Sequence, residues 1–388
     1  MKSITQSDKR LLNFYLIGDE KVNFARTLDG YTLLLNANGD YCYAYIDEKG
    51  DLLPSNYVAA NQNLRTKSEK EFLQTINKGL LLSSQQIKMR KAPFAKIETN
   101  YPTVGNNNLL IILVSFPDRL FTYTREDFDS LASQPGYNRN GATGSVKDYY
   151  YDVSFGQLNL IPTVVGPYVL SQPMAYYGAT GTYFSDANPK EMIAEACALA
   201  DNEIDFSQFD MNNDGIIDAV HVIFAGAGEA STGEGDAIWP HRWSIYPSDG
   251  FNITFDGVRL KDYSCSAEKM GNGMDGIGTV CHEFGHVLGL PDLYDTDYEG
   301  SGGQATAINT WSIMASGSYN NYSNTPASFT AYEKYRLNWL QLDTLEVAGE
   351  YVLPPLMDSN KAYIITSPYN DEFFVFEKNT LVILSHTV

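Results

Sequence analysis

His282 and His286 stand four residues apart in the run His-Glu-Phe-Gly-His-Val-Leu-Gly-Leu-Pro-Asp, which extends from 282 to 292. On a helix that spacing puts both imidazoles on one face, where two ring nitrogens can address a single ion. Glu283, beside the first histidine, can polarise a metal-bound water without itself being a ligand. This arrangement suits metal-assisted hydrolysis of a peptide bond.

A catalytic zinc keeps three protein ligands and one open position, so a third ligand is needed. Asp292, six residues beyond His286 and just past Gly289, is the first choice. Glu333, in Ala331-Tyr-Glu-Lys-Tyr on another helix, is the alternative. The helix is expected from about Gly276 to Leu288. Gly289 suits the position after its end because it accepts positive φ, and Pro291 prevents continuation. The chain then turns sharply and brings Asp292 back beneath the ion.

Asp210, Asn212, Asp214 and Asp218 fall at positions 1, 3, 5 and 9 of a second candidate metal loop, with Gly215 at position 6. Ile216 occupies position 7, where a backbone carbonyl ligates in EF-hand loops. Position 12 is His221 rather than a bidentate glutamate, so a helix-loop-helix sensor is not expected. A structural calcium in a loop leading into a strand is. Asp295, Asp297 and Glu299 lack such spacing and read as a solvated acidic loop.

The composition narrows the partners. The 388 residues carry 27 Lys plus Arg against 47 Asp plus Glu, a formal charge of -20, which repels nucleic acid and anionic lipid. With 44% hydrophobic and 13% aromatic residues, the chain can bury a large core. No run of about 18 apolar residues occurs, so no membrane span is expected. Met1 to Asp8 has no apolar signal-peptide core, and a secretion signal is expected to have been removed. Four cysteines are too few for a disulfide framework. Cys265 and Cys281 are the plausible pair near the site; buried thiols are the first reading and a disulfide the second. Cys281 precedes His282 and would point about 100° away from the histidine face on a helix, which disfavours it as a ligand.

These residues need a scaffold, and the chain divides into stretches able to supply one. Residues 10 to 60 alternate in period two and read as hairpins, with turns at Asn-Gly-Asp and Glu-Lys-Gly-Asp. A charged helical stretch follows near Ser68 to Gly79, then a link containing Lys88, Arg90 and Lys91 that could be processed by a trypsin-like enzyme. The continuous apolar run Leu109 to Phe116 has the character of a strand buried on both faces. Val146 to Val153 looks helical, Leu158 to Tyr168 extended, Pro189 to Asp201 helical, and Ala219 to Ala225 a strand. Beyond Leu345 the pattern turns to short strands.

The run from His282 to Asp292, extended by Leu-Tyr-Asp, resembles the signature of the immune inhibitor A family of secreted bacterial metallopeptidases, within the metzincin group. Ile238-Trp-Pro-His-Arg-Trp, Trp311-Ser-Ile-Met-Ala-Ser-Gly and Thr325-Pro-Ala-Ser-Phe-Thr-Ala-Tyr-Glu-Lys resemble the same family. The resemblance implies an α/β (α+β) metzincin-like zinc peptidase domain over 96–345. It also implies a small β-rich N-terminal pro-region over 1–95 and an incomplete C-terminal β segment over 346–388. The implied activity is that of a secreted zinc endopeptidase made as a zymogen, acting on protein or peptide substrates. His282, His286 and Asp292 would bind zinc, Glu283 would be general base, and Met314 would form an apolar floor under the ligands. The resemblance also favours the calcium at 210–218. Where some metzincins carry a tyrosine two residues after that methionine, this chain has Ser316, which leaves Tyr319 or Tyr322 as candidates for oxyanion assistance. His241 is a further candidate, with a packed structural role as its preferred reading. Latency has several candidate sources: Cys42 as a switch thiolate, although its place in a period-two strand makes a structural role its preferred reading, an acidic residue such as Asp19, or a steric plug. The alternative function is a catalytically silent, metal-binding adhesion module on the same fold, against which the intact Glu283 speaks.

Overall fold

The computed structural model describes residues 1–18, 23–36, 38–83, 85–86, 101–179, 186–247, 250–295, 308–367 and 372–379. Lys88, Arg90 and Lys91 of the basic link, Asp19, Asp297 and Glu299 lie outside the described residues.

The period-two stretch forms six antiparallel strands in chain order: β1 (Lys2–Thr5), β2 (Leu11–Gly18), β3 (Asn23–Thr27), β4 (Thr32–Leu35), β5 (Tyr41–Ile46) and β6 (Leu52–Val58). Alternation sends Leu12, Phe14, Ala25, Leu33, Leu35, Tyr41 and Tyr43 to one apolar cluster and Phe24, Leu34, Ala44 and Leu52 to another. The charged helix runs only over Lys67–Leu73, shorter than the sequence suggests. A capping box between Thr66 and Glu69 starts it, whereas β-branched Thr75 and Ile76 and the turn formers Asn77 and Gly79 favour its early end.

The second sheet holds the site. It comprises β7 (Gly105–Ser115), β8 (Leu158–Val169), β9 (Val220–Ala227), β10 (His241–Ser244) and β13 (Asp262–Met270), in the order β10-β13-β9-β7-β8. A small hairpin of β11 (Thr254–Phe255) and β12 (Val258–Arg259) precedes β13, and β14 (Gly273–Met274) folds back on it. All neighbours on the main path are parallel except β10, which runs antiparallel to β13 at the edge. The continuous apolar run makes β7 buried on both sides. Leu109, Ile111 and Leu113 enter the core that holds the histidine helix, and Leu110, Ile112 and Val114 enter the core on the opposite face.

That opposite core is closed by the Pro189–Ala200 helix through Met192, Ile193, Ala196 and Cys197. The near core receives Phe128 and Leu131 of the Arg125–Ser133 helix and Val146, Tyr149, Tyr150 and Val153 of the Val146–Val153 helix. Each of these two helices begins with a capping box, at Thr124 and Ser145. The three short strands β15 (Asp343–Thr344), β16 (Tyr363–Thr366) and β17 (Phe373–Phe376) form a separate sheet near the end of the chain. No helix among the described residues is long and apolar enough to cross a membrane.

The histidine helix spans Ile277–Val287 with Gly276 as its N-cap, and the Asp275 carboxylate accepts a hydrogen bond from the Gly276 amide at 2.8 Å. Its far end is a Schellman turn: Gly289 N donates to His286 O at 3.0 Å and Leu290 N to Gly285 O at 3.1 Å, with Gly289 at φ +93°. Two glycines in this region are demanded by close approach. A Cβ on Gly278 would lie 2.0 Å from the Ser318 carbonyl oxygen, and one on Gly276 would lie 2.2 Å from that of Ser323. Both obstacles are backbone and cannot swing aside. Gly278→Ala is therefore expected to cost on the order of 1–3 kcal/mol in chemical denaturation. Gly273→Ala, which meets nothing within 4 Å, serves as the control and is expected to stay within about 0.5 kcal/mol of wild type.

Candidate metal centre

His282 and His286 share one helix face, and the turn after Gly289 carries Asp292 against both. Asp292 Oδ1 is 3.4 Å from His282 Nε2 and 3.1 Å from His286 Nε2. The two rings are nearly perpendicular, at 87°, with centroids 4.8 Å apart. Among the described residues, the His, Cys, Asp and Glu groups that offer three or more ligand atoms within 4.8 Å of one another reduce to this triplet. Three ligands at zinc–nitrogen and zinc–oxygen distances of about 2.0–2.2 Å around a tetrahedral ion lie roughly 3.3–3.5 Å apart. The triplet is therefore close to the spacing an ion needs.

The orientation of the rings matters as much as their separation. His282 Nδ1 bonds the carbonyl of Ile313 at 2.7 Å, and His286 Nδ1 bonds that of Leu290 at 2.8 Å. A carbonyl only accepts, so both Nδ1 atoms carry hydrogen. When the rings are neutral, each lone pair is therefore on Nε2, aimed at Asp292. Burial opposes charge on His282, but the hydrogen bond to Asp292, the charges of Glu283 and Asp292 and the bond to Ile313 O together outweigh it and lift the His282 pKa to about 9.

A turn at 312–315 ties these pieces together. Ile313 O receives His282, and Met314 O receives the Leu293 amide at 2.7 Å, one residue past Asp292. The fully buried Met314 packs under the helix so closely that a Cβ on Gly285 would lie 2.5 Å from its sulfur. The turn is held by Ser312, whose hydroxyl donates to the Glu333 carboxylate at 3.0 Å and accepts from Met314 N at 3.0 Å.

Glu333, the alternative third ligand, is thus engaged elsewhere. It forms a capping box with Thr330 at the start of the Ala331–Arg336 helix while bonding Ser312, and it is not in the histidine group. Sequence reasoning missed this role, although Thr330 followed three residues later by Glu333 carries the capping signature. It also missed the carbonyls of Ile313 and Leu290, which no side-chain type announces.

Glu283 is buried on the same helix, with 6% of its surface exposed. The helix is backed by aromatic packing: Phe284 meets Tyr101 and Tyr150 edge-on, with centroids 4.9 and 5.2 Å away, and Tyr150 Oη donates to the Cys281 carbonyl at 2.6 Å. Cys281 and Cys265 are both buried free thiols, so the disulfide reading does not hold. His241 lies on β10 with Nδ1 2.7 Å from Trp239 O and Nε2 3.0 Å from Tyr263 Oη, the surroundings of a packed histidine. Tyr319 ends a short turn at Ser316–Tyr319 and is half exposed; Tyr322 is largely exposed.

In the loop at 210–218, the side-chain oxygens turn inward onto the loop's own amides. Asp210 accepts from Asp214 N and Gly215 N at 3.0 and 2.9 Å, Asn212 from Asp214 N at 2.9 Å, and Asp214 from Ile216 N at 2.9 Å. Asp218 closes the loop by accepting from Met211 N at 2.7 Å. Its buried Oδ1 has no hydrogen-bond partner among the described residues. Burial foremost, with the charges of Asp210, Asp214 and Asp262 adding to it, pushes the Asp218 carboxyl up to about 7.

Comparison with known proteins follows the same region of the chain. Residues 101–345 match the model of the immune inhibitor A peptidase M6 catalytic domain. Immune inhibitor A of Bacillus thuringiensis subsp. alesti is 32% identical over 223 residues, covering 48% of this chain and 31% of the relative. The pre-pro-metalloprotease PrtV of Vibrio cholerae is 31% identical over 256 residues, covering 56% of this chain and 27% of the relative. The matched region therefore spans less than a third of either curated relative. A crystal structure of metalloproteinase-II from Bacteroides fragilis aligns with 84% of this chain and 86% of its own at 12% identity, with a TM-score of 0.30, too low to inform the fold.

The two candidates for third ligand separate by elemental analysis. Asp292→Asn is expected to lose the bound metal, whereas Glu333→Gln is expected to retain it. Glu333→Gln should also lower stability by about 1–3 kcal/mol in thermal unfolding, because it weakens the buried bonds to Ser312 and Thr330.

Proposed function

This chain belongs to the immune inhibitor A family of M6 peptidases, and on that premise we propose that it is a secreted zinc endopeptidase made as a zymogen. We assign residues 96–345 as a metzincin-like catalytic domain, 1–95 as its pro-region, and 346–388 as the beginning of a C-terminal β domain. The observation that carries the reading is that His282 Nε2 and His286 Nε2 both face Asp292 Oδ1, at 3.4 and 3.1 Å, with both Nδ1 atoms tied to backbone carbonyls. The name of the relative PrtV, a pre-pro-metalloprotease, agrees with the zymogen assignment.

His282, His286 and Asp292 would hold the ion, which when bound lowers the pKa of a water and polarises the peptide carbonyl. Glu283 takes the proton of the attacking water and returns it to the leaving amine. Its buried position on the same helix places it beside the two histidines. Met314 and Gly285 set the depth of the helix over the turn, so that Ile313 O keeps His282 in one tautomer throughout. Substrates on this reading are proteins and peptides.

We further propose that the 210–218 loop takes calcium through Asp210, Asn212, Asp214, the Ile216 carbonyl and Asp218. What supports it is the buried Asp218 Oδ1 and the mutual repulsion of carboxylates that a divalent cation would relieve.

Two measurements test these readings. Glu283→Ala is expected to retain zinc at wild-type stoichiometry while kcat/KM for an unstructured protein falls by about 10²–10⁴-fold, after removal of residues 1–95 where required. Cleavage by the variant at the wild-type rate would defeat the peptidase reading, and zinc-free wild type would defeat the metal assignment. Calcium is expected to raise the Tm of wild type and to leave that of Asp214→Ala unchanged in scanning calorimetry.

A further inference from the structure

Among the described residues, the N-terminal sheet meets the site-bearing part of the chain at a loop that the preceding chemistry does not use. After β9 the chain passes through the short Glu229–Thr232 helix and returns, closed by Glu229 N donating to Ile238 O at 2.9 Å, just before β10. The sheet sits on this loop by filling the space two glycines leave. A Cβ on Gly233 would lie 2.7 Å from Phe14 Cζ, and one on Gly235 would lie 2.7 Å from Leu35 Cδ1. At the rim, Gly39 faces Asp236, and the Lys2 ammonium donates to the Ser231 carbonyl.

Beneath that apolar contact the loop buries acid groups. Glu229 is 7% exposed, and it interacts electrostatically with Asp236 on the other limb of the loop, with Asp186 ahead of the Pro189–Ala200 helix, and with Tyr41 of the sheet. Asp186 accepts from Trp239 N at 3.2 Å and lies 3.9 Å from His241 Nδ1, whose own bond goes to Trp239 O. The Tyr41 hydroxyl is buried and has no hydrogen-bond partner among the described residues. Lys2 supplies a cation at the rim, where burial lowers its pKa. Several acids thus share a dry interface, and they can do so only if some of them are neutral.

We infer that the Gly228–Ile238 loop is the seat of the N-terminal sheet and that Glu229 is a proton-dependent latch in it: the sheet stays down while this carboxyl is neutral and lifts away as it ionises. Lifting removes Tyr41, Phe14 and Leu35 from the loop and returns water to the carboxylates. The direction follows from burial, which together with Asp236 pushes the Glu229 carboxyl up to about 8 in the docked form. Asp186 is raised well above its ordinary range, first by burial and then by Glu229. A raised docked-state pKa means that the docked form holds a proton the undocked form releases. Docking is therefore fully favoured below the ordinary carboxylate range and weakens by up to about tenfold per pH unit as pH rises toward 8, above which this contribution is lost. The latch rests on the zymogen reading only for its consequence, that leaving the loop is a step toward activation.

The test is hydrogen exchange of the 229–238 amides in the full chain between pH 5.5 and 8.5, corrected for intrinsic exchange and at constant ionic strength, with small-angle scattering to follow separation of the sheet. Wild type is expected to lose at least about tenfold in protection and to expand across that range. Glu229→Gln, isosteric and uncharged, is expected to remain protected and compact at every pH. Asp236→Asn should move the upper end of the transition to lower pH. A Glu229→Gln profile that follows wild type, or a wild-type profile that is flat, would overturn the latch. If the loop opens as expected but cleavage of an unstructured peptide does not rise with it, the latch stands and the zymogen reading fails.

Discussion

Two hydrogen bonds govern this molecule more than any other contacts: those from His282 and His286, through Nδ1, to the carbonyls of Ile313 and Leu290. They decide which nitrogen of each ring is free, and so whether the helix presents two metal donors or two N–H groups. Much of the local architecture serves these two acceptors. The Schellman turn brings the Leu290 carbonyl back under His286, and the 312–315 turn, held from below by Ser312 and Glu333, brings the Ile313 carbonyl to His282. The same turn anchors Leu293, and with it the approach of Asp292. The candidate ligands and their supports are thus one connected structure, in which displacement of the turn would disturb both a ring and the carboxylate.

Buried acids mark the other joints of the fold. Glu268 is wholly buried, and it accepts the amides of Thr122, Tyr123 and Gly226, which pins the segment after β7 to the end of β9. Glu333 does the same work under the metal turn, and Asp275 at the head of the metal helix. Each carboxylate accepts at least one main-chain N–H that would otherwise be unpaired in the interior. A surface carrying many more acids than bases is therefore only part of this chain's acidity; some of it is structural.

Much of this architecture was legible in the residues themselves. The unbroken apolar run at 109–116 specified a strand buried on two faces, and β7 divides its side chains between two cores accordingly. The Val146–Val153 helix has the bounds its pattern suggests, and the metal helix falls one residue short of its expected ends on each side, because Gly276 and Leu288 act as caps. Gly289 takes the positive φ expected of it. What could not be read was whatever depends on backbone groups brought from far along the chain. The carbonyls of Ile313 and Leu290 have no residue-type signature, and the need for glycine at 276 and 278 arises only because residues 318–323 press against them. Glu333 was ambiguous because a glutamate three residues after a threonine serves equally as helix cap or metal ligand until the fold says where it lies. The seat around Glu229 was illegible for the same reason, since it joins strands near residue 14 to a loop near residue 235.

The composition of the metal helix has a consequence for anyone who would borrow it. Between Ile277 and Val287 it contains two glycines and several β-branched residues, choices that each cost up to about 1 kcal/mol of helical preference. As a free peptide this eleven-residue segment would be a coil, and its histidines would have no common face. The glycines that weaken it are the ones that let the 314–323 backbone and the Met314 sulfur come close enough to hold it in shape. A graft carrying the histidines, Glu283 and Asp292 into another scaffold would move the letters of the motif without its grammar. The smallest portable unit is the helix, its Schellman turn and the 312–323 segment, transplanted as one.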